Sequence, residues 1–306
     1  ELKQMNNFLI SVKNKYKTGI MFEGGGSGHG GHKGNNWVTM PLKYSIMKEL
    51  HTEREISLLQ PIAAVELFAF VSIYQKELIN LLDMNSIFSL RHHHKNNELC
   101  YKNKNKSITK YFAVESAQID KDLIEKTGMF FDIKPYKSIA SFTSSEEWLV
   151  LNSKYRYFIR TDYKACFDSI YTHTFKWLIG KDVNDTKDFK NTNIYTTIDR
   201  ILQNINARTS NGIVVGPEFS RMIAEILLQA IDRTVYSKLL NSGKAVGENY
   251  NVYRFVDDIF IFAESEELAN EIVQIYSEIS AKYLLRLNEG KLYKNTVPFV
   301  LDEWIN

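Results

Sequence analysis

The chain has 306 residues, of which 44% are hydrophobic and 24% charged, a composition that indicates a globular protein and excludes a disordered one. Its formal net charge is only +2, which excludes a whole-chain electrostatic argument for nucleic-acid binding and leaves only local patches. The two cysteines, Cys100 and Cys166, have no CxxC spacing, which excludes a disulfide framework or zinc knuckle and indicates a reducing, cytoplasmic setting.

The first predicted elements are a connector and a long helix. The glycine-rich stretch 24–36 is predicted to be a flexible connector, because it is of low complexity and lacks the GK[ST] of a phosphate loop. Residues 56–83 carry near-continuous helical periodicity, with Pro61 near the helix start. The apolar run within them, residues 61–74, is too short to span a bilayer, so no membrane partner is expected.

A basic segment follows at residues 91–110. Against the single acid Glu98 it carries Arg91, Lys95, Lys102, Lys104, Lys106 and Lys110. Two interpretations stay open for this segment. It is either a solvated loop, as most charge runs are, or a basic arm that follows a phosphate backbone. On the second interpretation the nucleic-acid-binding candidates are Lys102, Lys104 and Lys106.

Strands and helices are predicted from residue 150 onward. Residues 154–162 alternate like a strand, and residues 216–233 predict a long helix with Pro217 in its first turn. YRFVDDIFIF (253–262) predicts two short strands that meet at an aspartate pair. Residues 265–284 predict an amphipathic helix with Ser265 as its N-cap. This order predicts an α+β fold, in which an antiparallel sheet is backed by helices.

The aspartate pair, Asp257 and Asp258, lies in an otherwise apolar, aromatic run. Neighbouring side chains of a flat strand point to opposite faces, so both carboxylates can face one space only from a turn. With Asp162 at the end of another strand, three carboxylates without an obvious basic partner would converge. Such a set predicts a divalent-cation site, with Mg²⁺ as the expected ion and two ions about 3.5–4 Å apart for phosphoryl transfer. The alternative, that the pair simply ends a strand, stays open.

The segments around these acids resemble the motifs of the reverse-transcriptase family. TDYKACFDSI (161–170) is similar to the first palm motif, and NGIVVGPEFSRMIAEILL (211–228) to the second. FVDD (255–258) is similar to the third and LNEGK (287–291) to the fourth. NTVPF (295–299) lies where the palm leads toward the primer grip. These motifs occur in the family's order, and together they are far more specific than an isolated DD.

The resemblance implies a role for each matching residue. The implied metal ligands, with Tyr163 acting through its backbone carbonyl, are Asp162, Tyr163, Asp257 and Asp258. Lys291 is implied as the acid that donates a proton to pyrophosphate or neutralises its charge, and a solvated lysine is its alternative. The implied nucleotide-binding residues are Phe167, Gly216, Ser220, Phe255 and Arg91. Lys102, Lys134 and Lys137 stay open beside Arg91 as candidates for binding the triphosphate.

Two of these implied roles concern the nucleotide's sugar and its neighbours. Phe167 beneath the sugar would clash with a ribose 2′-OH and so select deoxynucleotides, whereas an ordinary core aromatic is the alternative. Gly216 would allow the backbone to approach a base or sugar closely. The chain departs from the family at Val215, where many relatives have glutamine, and at Phe255, where tyrosine is frequent. The departure at Val215 affects template use, and the departure at Phe255 affects contact with the primer end.

A finer resemblance is to the bacterial unknown-group and abortive-infection reverse transcriptases of phage defence. It depends on the segments SIYTHTFKW (169–177), VGPEFSRMIAE (215–225), REISLLQP (54–61) and FSLR (88–91). The implied fold has a largely helical N-terminal and fingers region at 1–150 and a palm with four motifs at 151–306. Because the chain ends soon after NTVPF, the resemblance implies that the thumb is absent or truncated.

The expected function is therefore Mg²⁺-dependent DNA synthesis from dNTPs in antiphage defence, RNA-templated or template-independent, with Mn²⁺ as an alternative ion. The implied partners are an RNA template or associated noncoding RNA, the DNA product, and a second reverse transcriptase or operon partner, within an oligomer. A catalytically inactive scaffold that binds RNA or a partner protein is the main alternative. A nucleotide cyclase or an RNA-dependent RNA polymerase is a third interpretation, which Phe167 and the YTHT segment disfavour.

Overall fold

The computed structural model describes residues 38–49, 52–84, 86–95, 131–179 and 193–296. The connector at 24–36 and the candidate lysines Lys102, Lys104 and Lys106 lie outside these described residues, so the predictions made for them stay predictions.

The elements of the described chain alternate between strands and helices. The strands are β1 (Leu42–Glu49), β2 (Thr52–Leu58), β3 (Arg91–Lys95), β4 (Phe131–Pro135), β5 (Tyr157–Asp162), β6 (Tyr250–Phe255), β7 (Asp258–Ala263) and β8 (Tyr293–Thr296). The helices are α1 (Pro61–Met84), α2 (Ile139–Thr143), α3 (Glu146–Lys154), α4 (Cys166–Ser169), α5 (Thr174–Trp177), α6 (Ile194–Asn204), α7 (Glu218–Asn241) and α8 (Glu266–Lys282). A 3₁₀ turn covers Glu289–Lys291. None of the helices in the described ranges has the length and hydropathy needed to cross a membrane.

The central sheet has the strand order β6-β7-β5-β8, and every neighbouring pair is antiparallel. Strand alternation sends its side chains to two buried faces. The aromatic face packs against α2 and α3, where the ring centroids of Trp148 and Phe262 lie 5.3 Å apart. The aliphatic face, with Ile159 and Ile261, belongs to the larger core that α7 and α8 complete. The predicted antiparallel sheet backed by helices is confirmed.

Helix α8 follows the sequence prediction closely. The Ser265 hydroxyl accepts a hydrogen bond from the Leu268 N–H, as an N-cap does. The predicted apolar face is buried, namely Leu268, Ile272, Ile275 and Ile279. The start of α7 differs slightly from the prediction, because Pro217 precedes the helix at the N-cap position instead of lying within its first turn.

The N-terminal hairpin, β1 and β2, corrects the predicted start of the long helix. Residues 56–58 belong to β2, and α1 begins only at Pro61. Proline disfavours helical backbone at the residue before it, so the helix does not extend toward residue 56 in spite of the apolar periodicity. The hairpin then packs on the chain before α7, where the Ser57 N–H donates to the Val215 carbonyl at 2.8 Å.

The start of the basic segment is a strand and not a solvated loop. Residues 91–95 form β3, which pairs with β4, and the side chains of Arg91 and His93 are buried. Burial of a cation requires compensation, and Arg91 receives it from an ion pair with Glu218 of α7. The rest of the segment lies outside the described residues.

Candidate active site

The aspartate pair lies at the tight turn between β6 and β7. Strand β6 ends at Phe255 and β7 begins at Asp258, so Val256 and Asp257 form the turn. Asp258 is the direct cross-strand neighbour of Asp162, which ends β5. The turn predicted from the sequence therefore exists. Asp257 lies within it, whereas Asp258 is the first residue of β7.

Asp162, Asp257 and Asp258 line one cleft of about 1520 Å³. Its other walls come from the N-terminal hairpin, from α4, from the chain around residues 206–215 and from the 3₁₀ turn. Ligand pockets for small molecules are typically about 300–1,000 Å³, so this cleft has room for more than a nucleotide. Of the predicted site residues, the structure brings into this cleft Asp162, Tyr163, Phe167, Asp257, Asp258 and Lys291.

Backbone hydrogen bonds hold the carboxylate-bearing segments together. The Tyr163 N–H donates to the Asp257 carbonyl at 3.3 Å, which joins the end of β5 to the aspartate turn. The Asn288 N–H donates to the Asp162 carbonyl at 2.8 Å. This second bond places the following 3₁₀ turn, and with it Lys291, beside Asp162.

The expectation that the three carboxylates have no basic partner is wrong. Lys291 Nζ lies 2.8 Å from Asp162 Oδ2, and Arg160 Nη2 lies 3.2 Å from Asp258 Oδ1. Arg160 precedes Asp162 by two residues on β5, so strand alternation places both on the same face. That spacing was present in the sequence and could have identified Arg160 as a partner.

The negative charge of the three carboxylates is only partly compensated by the protein, which favours binding of a cation. Burial raises the pKa of Asp257, and the neighbouring charge of Asp258 raises it further. Burial also raises the pKa of Asp258, although Arg160 acts in the opposite direction. Asp162 Oδ1 is buried and has no hydrogen-bond partner among the described atoms. Buried oxygen ligands with incomplete compensation suit a hard divalent cation.

The carboxylates are close but not preassembled as a metal cage. Within the described ranges, no group of three or more histidine, cysteine, aspartate or glutamate side chains has metal-binding geometry. Lys291 and Arg160 instead hold oxygens of Asp162 and Asp258. Binding a cation here would require side-chain rotation away from these partners, whereas Asp257 has no such basic partner within bonding distance among the described residues.

Phe167 lies in the wall of the cleft on α4 and is half-buried. Its carbonyl accepts a hydrogen bond from the Ile213 N–H at 2.9 Å, which fixes α4 against the chain before α7. The adjacent Cys166 is buried, and burial together with the charge of Asp257 raises the pKa of its thiol. Phe167 thus lines the cleft, and its ring also packs against the hydrophobic core.

Four predicted nucleotide-binding residues lie outside the cleft lining, namely Arg91, Gly216, Ser220 and Phe255. The side chain of Arg91 is only 4% exposed, pairs with Glu218 and lies over the Phe255 ring at 5.4 Å. Burial lowers its pKa. The other described triphosphate candidates, Lys134 and Lys137, do not line the cleft either, and Lys134 pairs with Asp132 at 2.9 Å.

Gly216 lies directly against the N-terminal hairpin. Its φ of +127° lies in a region that side-chain-bearing residues rarely adopt. A Cβ built on it would lie 2.8 Å from the Ile56 side chain and 3.0 Å from the Ser57 carbonyl oxygen, both on β2. The glycine therefore allows the N-terminal hairpin to pack directly on the chain before α7.

Sequence reasoning missed a buried ionic cluster directly behind the aspartate turn. The side chains of Arg254, Glu225 and Asp232 are all 0% exposed, and Arg254 binds both acids. The available signal was the spacing of Glu225 and Asp232, which lie two turns apart on one face of a predicted helix. Arg254, three residues before Asp257, was the available cation for these two acids.

Comparisons with solved structures find telomerases. The structure of telomerase from Candida albicans in complex with a TWJ fragment of telomeric RNA is 13% identical, has a TM-score of 0.42, and is matched over 87% of this chain and 43% of that one. Apo telomerase from Candida tropicalis truncated from its C-terminal domain is 15% identical with a TM-score of 0.46, over 86% of this chain and 51% of that one. The chain thus spans about half the length of these telomerases.

Sequence comparison gives the more decisive result. No curated protein matches the chain significantly. The family model described as reverse transcriptase (RNA-dependent DNA polymerase) matches residues 101–295, which is more than half of the chain. This match agrees with the antiparallel sheet, its helices and the positions of the acidic motifs. The chain belongs to the reverse transcriptase family.

Proposed function

We propose that the protein is an RNA-directed DNA polymerase that adds dNTPs at the cleft between the N-terminal hairpin and the central sheet. The proposal depends mainly on one observation: Asp162, Asp257 and Asp258 line the same cleft of about 1520 Å³. Members of the reverse transcriptase family generally use divalent metal ions. The raised pKa values of Asp257 and Asp258 support a cation at this place, as does Asp162 Oδ1, which has no hydrogen-bond partner in the described ranges.

Asp162, Asp257 and the Tyr163 carbonyl would hold Mg²⁺, with Asp258 as the outer ligand. Two ions are proposed, and Mn²⁺ is the alternative. The bound ions would supply Lewis-acid stabilisation of the charge that develops on the phosphate oxygens. Asp258 is ranked below Asp257 because Arg160 already compensates it.

Three other groups would orient the substrate. Lys291, hydrogen-bonded to Asp162 and mostly exposed, would neutralise the departing pyrophosphate or donate a proton to it. Phe167 would lie beneath the sugar and exclude a 2′-OH. The hairpin wall would cover the nucleotide and limit access of water. Triphosphate contacts are assigned to none of Arg91, Lys134 and Lys137, because these do not line the cleft.

The wider role is proposed from the sequence motifs. We assign residues 1–150 to an N-terminal and fingers region and residues 151–306 to a palm. The YTHT segment at 171–174 and the other matching motifs support a role in antiphage defence. The proposed partners are dNTPs, an RNA template or associated noncoding RNA, the DNA product, and a second reverse transcriptase or operon partner, in a cytoplasmic oligomer.

The test is nucleotide incorporation by the full chain. Purified protein is incubated with Mg²⁺ and each labelled dNTP or NTP, with and without its co-purified RNA and operon partners. Asp257→Asn serves as the inactive variant, and Asp199→Asn, which alters a buried acid outside the cleft, serves as the matched control. We expect the parent and Asp199→Asn to incorporate dNTPs and Asp257→Asn to incorporate none.

Two results would contradict this function. Absence of incorporation by the parent together with its natural RNA and partners would favour the inactive scaffold. Ribonucleotide incorporation equal to that of deoxynucleotides would remove the role given to Phe167. A Phe167→Val variant sharpens the second point, since the smaller side chain is expected to admit ribonucleotides without loss of dNTP incorporation.

A further inference from the structure

The ionic cluster behind the aspartate turn is fully satisfied within the protein. Arg254 Nε donates to Asp232 Oδ2 at 2.8 Å, and its Nη1 and Nη2 each donate to Glu225 at 3.0 Å. The fourth carboxylate oxygen has a donor too, and Glu225 Oε2 has a second one. The Tyr276 hydroxyl donates to Asp232 Oδ1 and the Ser89 hydroxyl donates to Glu225 Oε2, both at 2.9 Å.

Stability alone does not explain why this cluster is buried. Burial alone would lower the pKa of Arg254, but Asp232 and Glu225 outweigh it and raise that pKa well above its ordinary value. The guanidinium therefore stays charged. A buried ionic group of this kind is often no more stabilising than apolar side chains of similar volume. What apolar side chains cannot supply is a directed hydrogen bond to the backbone.

Arg254 makes such a bond to the aspartate turn. Its Nη1 donates to the Val256 carbonyl at 2.8 Å. Val256 has a φ of +56°, a conformation that is unfavourable for a β-branched residue. Strained backbone of this kind persists only where the surrounding structure holds it in place. The guanidinium is the group that meets this turn from the core side.

Both peptide groups that flank Asp257 are held. The preceding carbonyl, that of Val256, accepts from Arg254, and the carbonyl of Asp257 itself accepts from the Tyr163 N–H at 3.3 Å. With both peptide planes fixed, the Cα–Cβ direction of Asp257 is fixed as well. The carboxylate is thereby directed into the cleft that also contains Asp162.

The backbone of Arg254 is anchored in turn. Its N–H donates to the Phe88 carbonyl at 2.7 Å, and its carbonyl accepts from the Leu90 N–H at 2.8 Å. The fork geometry of a guanidinium allows one side chain to bind two carboxylates and a carbonyl at once, which a lysine ammonium on its flexible stem does not reproduce. The position therefore calls for arginine specifically.

We propose that Arg254 is a positioning residue, which uses Glu225 and Asp232 as its support and holds the Val256 carbonyl so that Asp257 faces the cleft. The inference rests on the proposed function, because Asp257 is the residue to which that function assigns the metal. It adds a residue that lies outside the cleft and contacts neither substrate nor metal.

The test measures Mn²⁺ affinity, which does not depend on turnover. Mn²⁺ is titrated into the full chain and the free ion is followed by electron paramagnetic resonance. The main variant is Arg254→Met/Glu225→Gln/Asp232→Asn, which removes all three charges together and so leaves no uncompensated charge in the core. Arg254→Lys keeps the positive charge but lacks the planar guanidinium that donates to several acceptors at once. Asp199→Asn is the matched control, since Asp199 is a buried acid that pairs elsewhere, with the partly exposed His173 and Lys176.

We expect the triple variant and Arg254→Lys to bind Mn²⁺ about 10–100-fold more weakly than the parent, the loss usual for residues that orient metal ligands. Asp199→Asn should bind like the parent. Near-ultraviolet circular dichroism reports whether each variant keeps its tertiary packing. If the triple variant does not fold, Arg254→Lys decides the question alone.

Parent-like affinity in a folded triple variant or in Arg254→Lys would overturn the positioning role. An affinity loss of the same size in Asp199→Asn would overturn it too, because the effect would then be general destabilisation. A parent that binds Mn²⁺ through Asp257 but incorporates no nucleotide would defeat the proposed function and leave the positioning role to be judged by the affinities. A parent that binds no Mn²⁺ would overturn both.

Discussion

Two acidic clusters lie on opposite sides of one turn, and they differ in how their charges are compensated. On the core side, Glu225 and Asp232 share one arginine and are 0% exposed. On the cleft side, Asp258 has an arginine of its own, Arg160, but both side chains of that pair remain about a quarter exposed, at 23% and 25%. We call Glu225, Asp232 and Arg254 the closed cluster. The cleft acids Asp162, Asp257 and Asp258 are the open cluster.

The difference shows that burial of acids does not by itself mark a functional site. The closed cluster has a hydrogen-bond donor for each carboxylate oxygen, so it needs no external ligand. In the open cluster Asp162 keeps a buried oxygen that has no partner within the described part of the chain, and Asp257 has a raised pKa because of burial and Asp258. A cation-binding site is therefore predicted by carboxylates whose charge the protein compensates incompletely, and not by the presence of acids alone.

The strongest test of this contrast is the loss of each cluster's arginine. Arg254→Met leaves two buried carboxylates without a counter-ion, so the free energy of unfolding should fall by about 3–5 kcal/mol. Arg160→Met acts on a partly exposed pair, and its loss should stay below about 1 kcal/mol. Urea denaturation measures both. Equal losses for the two variants would remove the distinction between closed and open clusters.

Asp257→Asn should separate activity from stability. Loss of a ligand to a catalytic ion costs several kcal/mol of transition-state stabilisation, so incorporation should fall by about 10³-fold or more. Stability should rise, because burial and Asp258 raise the pKa of this carboxylate and the variant replaces it with a neutral amide. Asp168→Asn, in an exposed acid of the same cleft, is the control and should change neither quantity much. A less stable Asp257→Asn would mean that its charge is already compensated.

His93, beside the closed cluster, should make stability sensitive to acid. Burial lowers its pKa from 6.5 to about 4, although the charge of Glu225 acts in the opposite direction. Because the folded-state value is the lower one, the stabilisation is complete above pH 6.5 and is lost as the pH falls toward 4. The loss amounts to about 3.5 kcal/mol at about 1.4 kcal/mol for each pH unit.

His93→Leu should therefore flatten the unfolding free energy between pH 6.5 and 4, as measured by urea titration at several pH values. His94→Leu is the matched control, since His94 is the next residue of β3 and is exposed. An unchanged slope in His93→Leu would show that another group causes the acid sensitivity.

Lys291→Met should produce the smallest of these effects. The loss of a positioned acid should lower incorporation by about 10²-fold. Stability should change by less than about 1 kcal/mol, because the Lys291 side chain is 60% exposed. Lys294→Met is the control, since Lys294 is an exposed lysine nearby that binds Asn270 instead of a cleft acid. Similar activity losses in both variants would indicate a general effect of positive charge.

The sequence predicts those parts of the molecule that depend on local patterns. Alternating residues in 253–262 predict two strands, and their acids predict the turn. Ser265 and the apolar spacing behind it predict α8, since capping and amphipathicity are properties of neighbouring residues. The approach of Asp162 to the pair also follows, because strands of one antiparallel sheet bring such residues into register.

The remaining features depend on packing between distant segments. Arg91 looks like a solvated cation until α7 places Glu218 against it. Arg254 looks like an ordinary strand residue until α7 brings Glu225 and Asp232 behind the sheet. Lys291 was visible as a cation, but its pairing with Asp162 depends on the 3₁₀ turn being held beside the end of β5 by the Asn288 N–H.

The close packing at Gly216 has a consequence for how the cleft can change its width. The hairpin that forms one wall contacts the chain before α7 where this residue has no side chain, and Ser57 hydrogen-bonds to its neighbour Val215. That chain lines the cleft as well. A methyl group at residue 216 would push the hairpin away from this chain, so the contact between these two parts of the cleft lining depends on the absence of a single carbon atom.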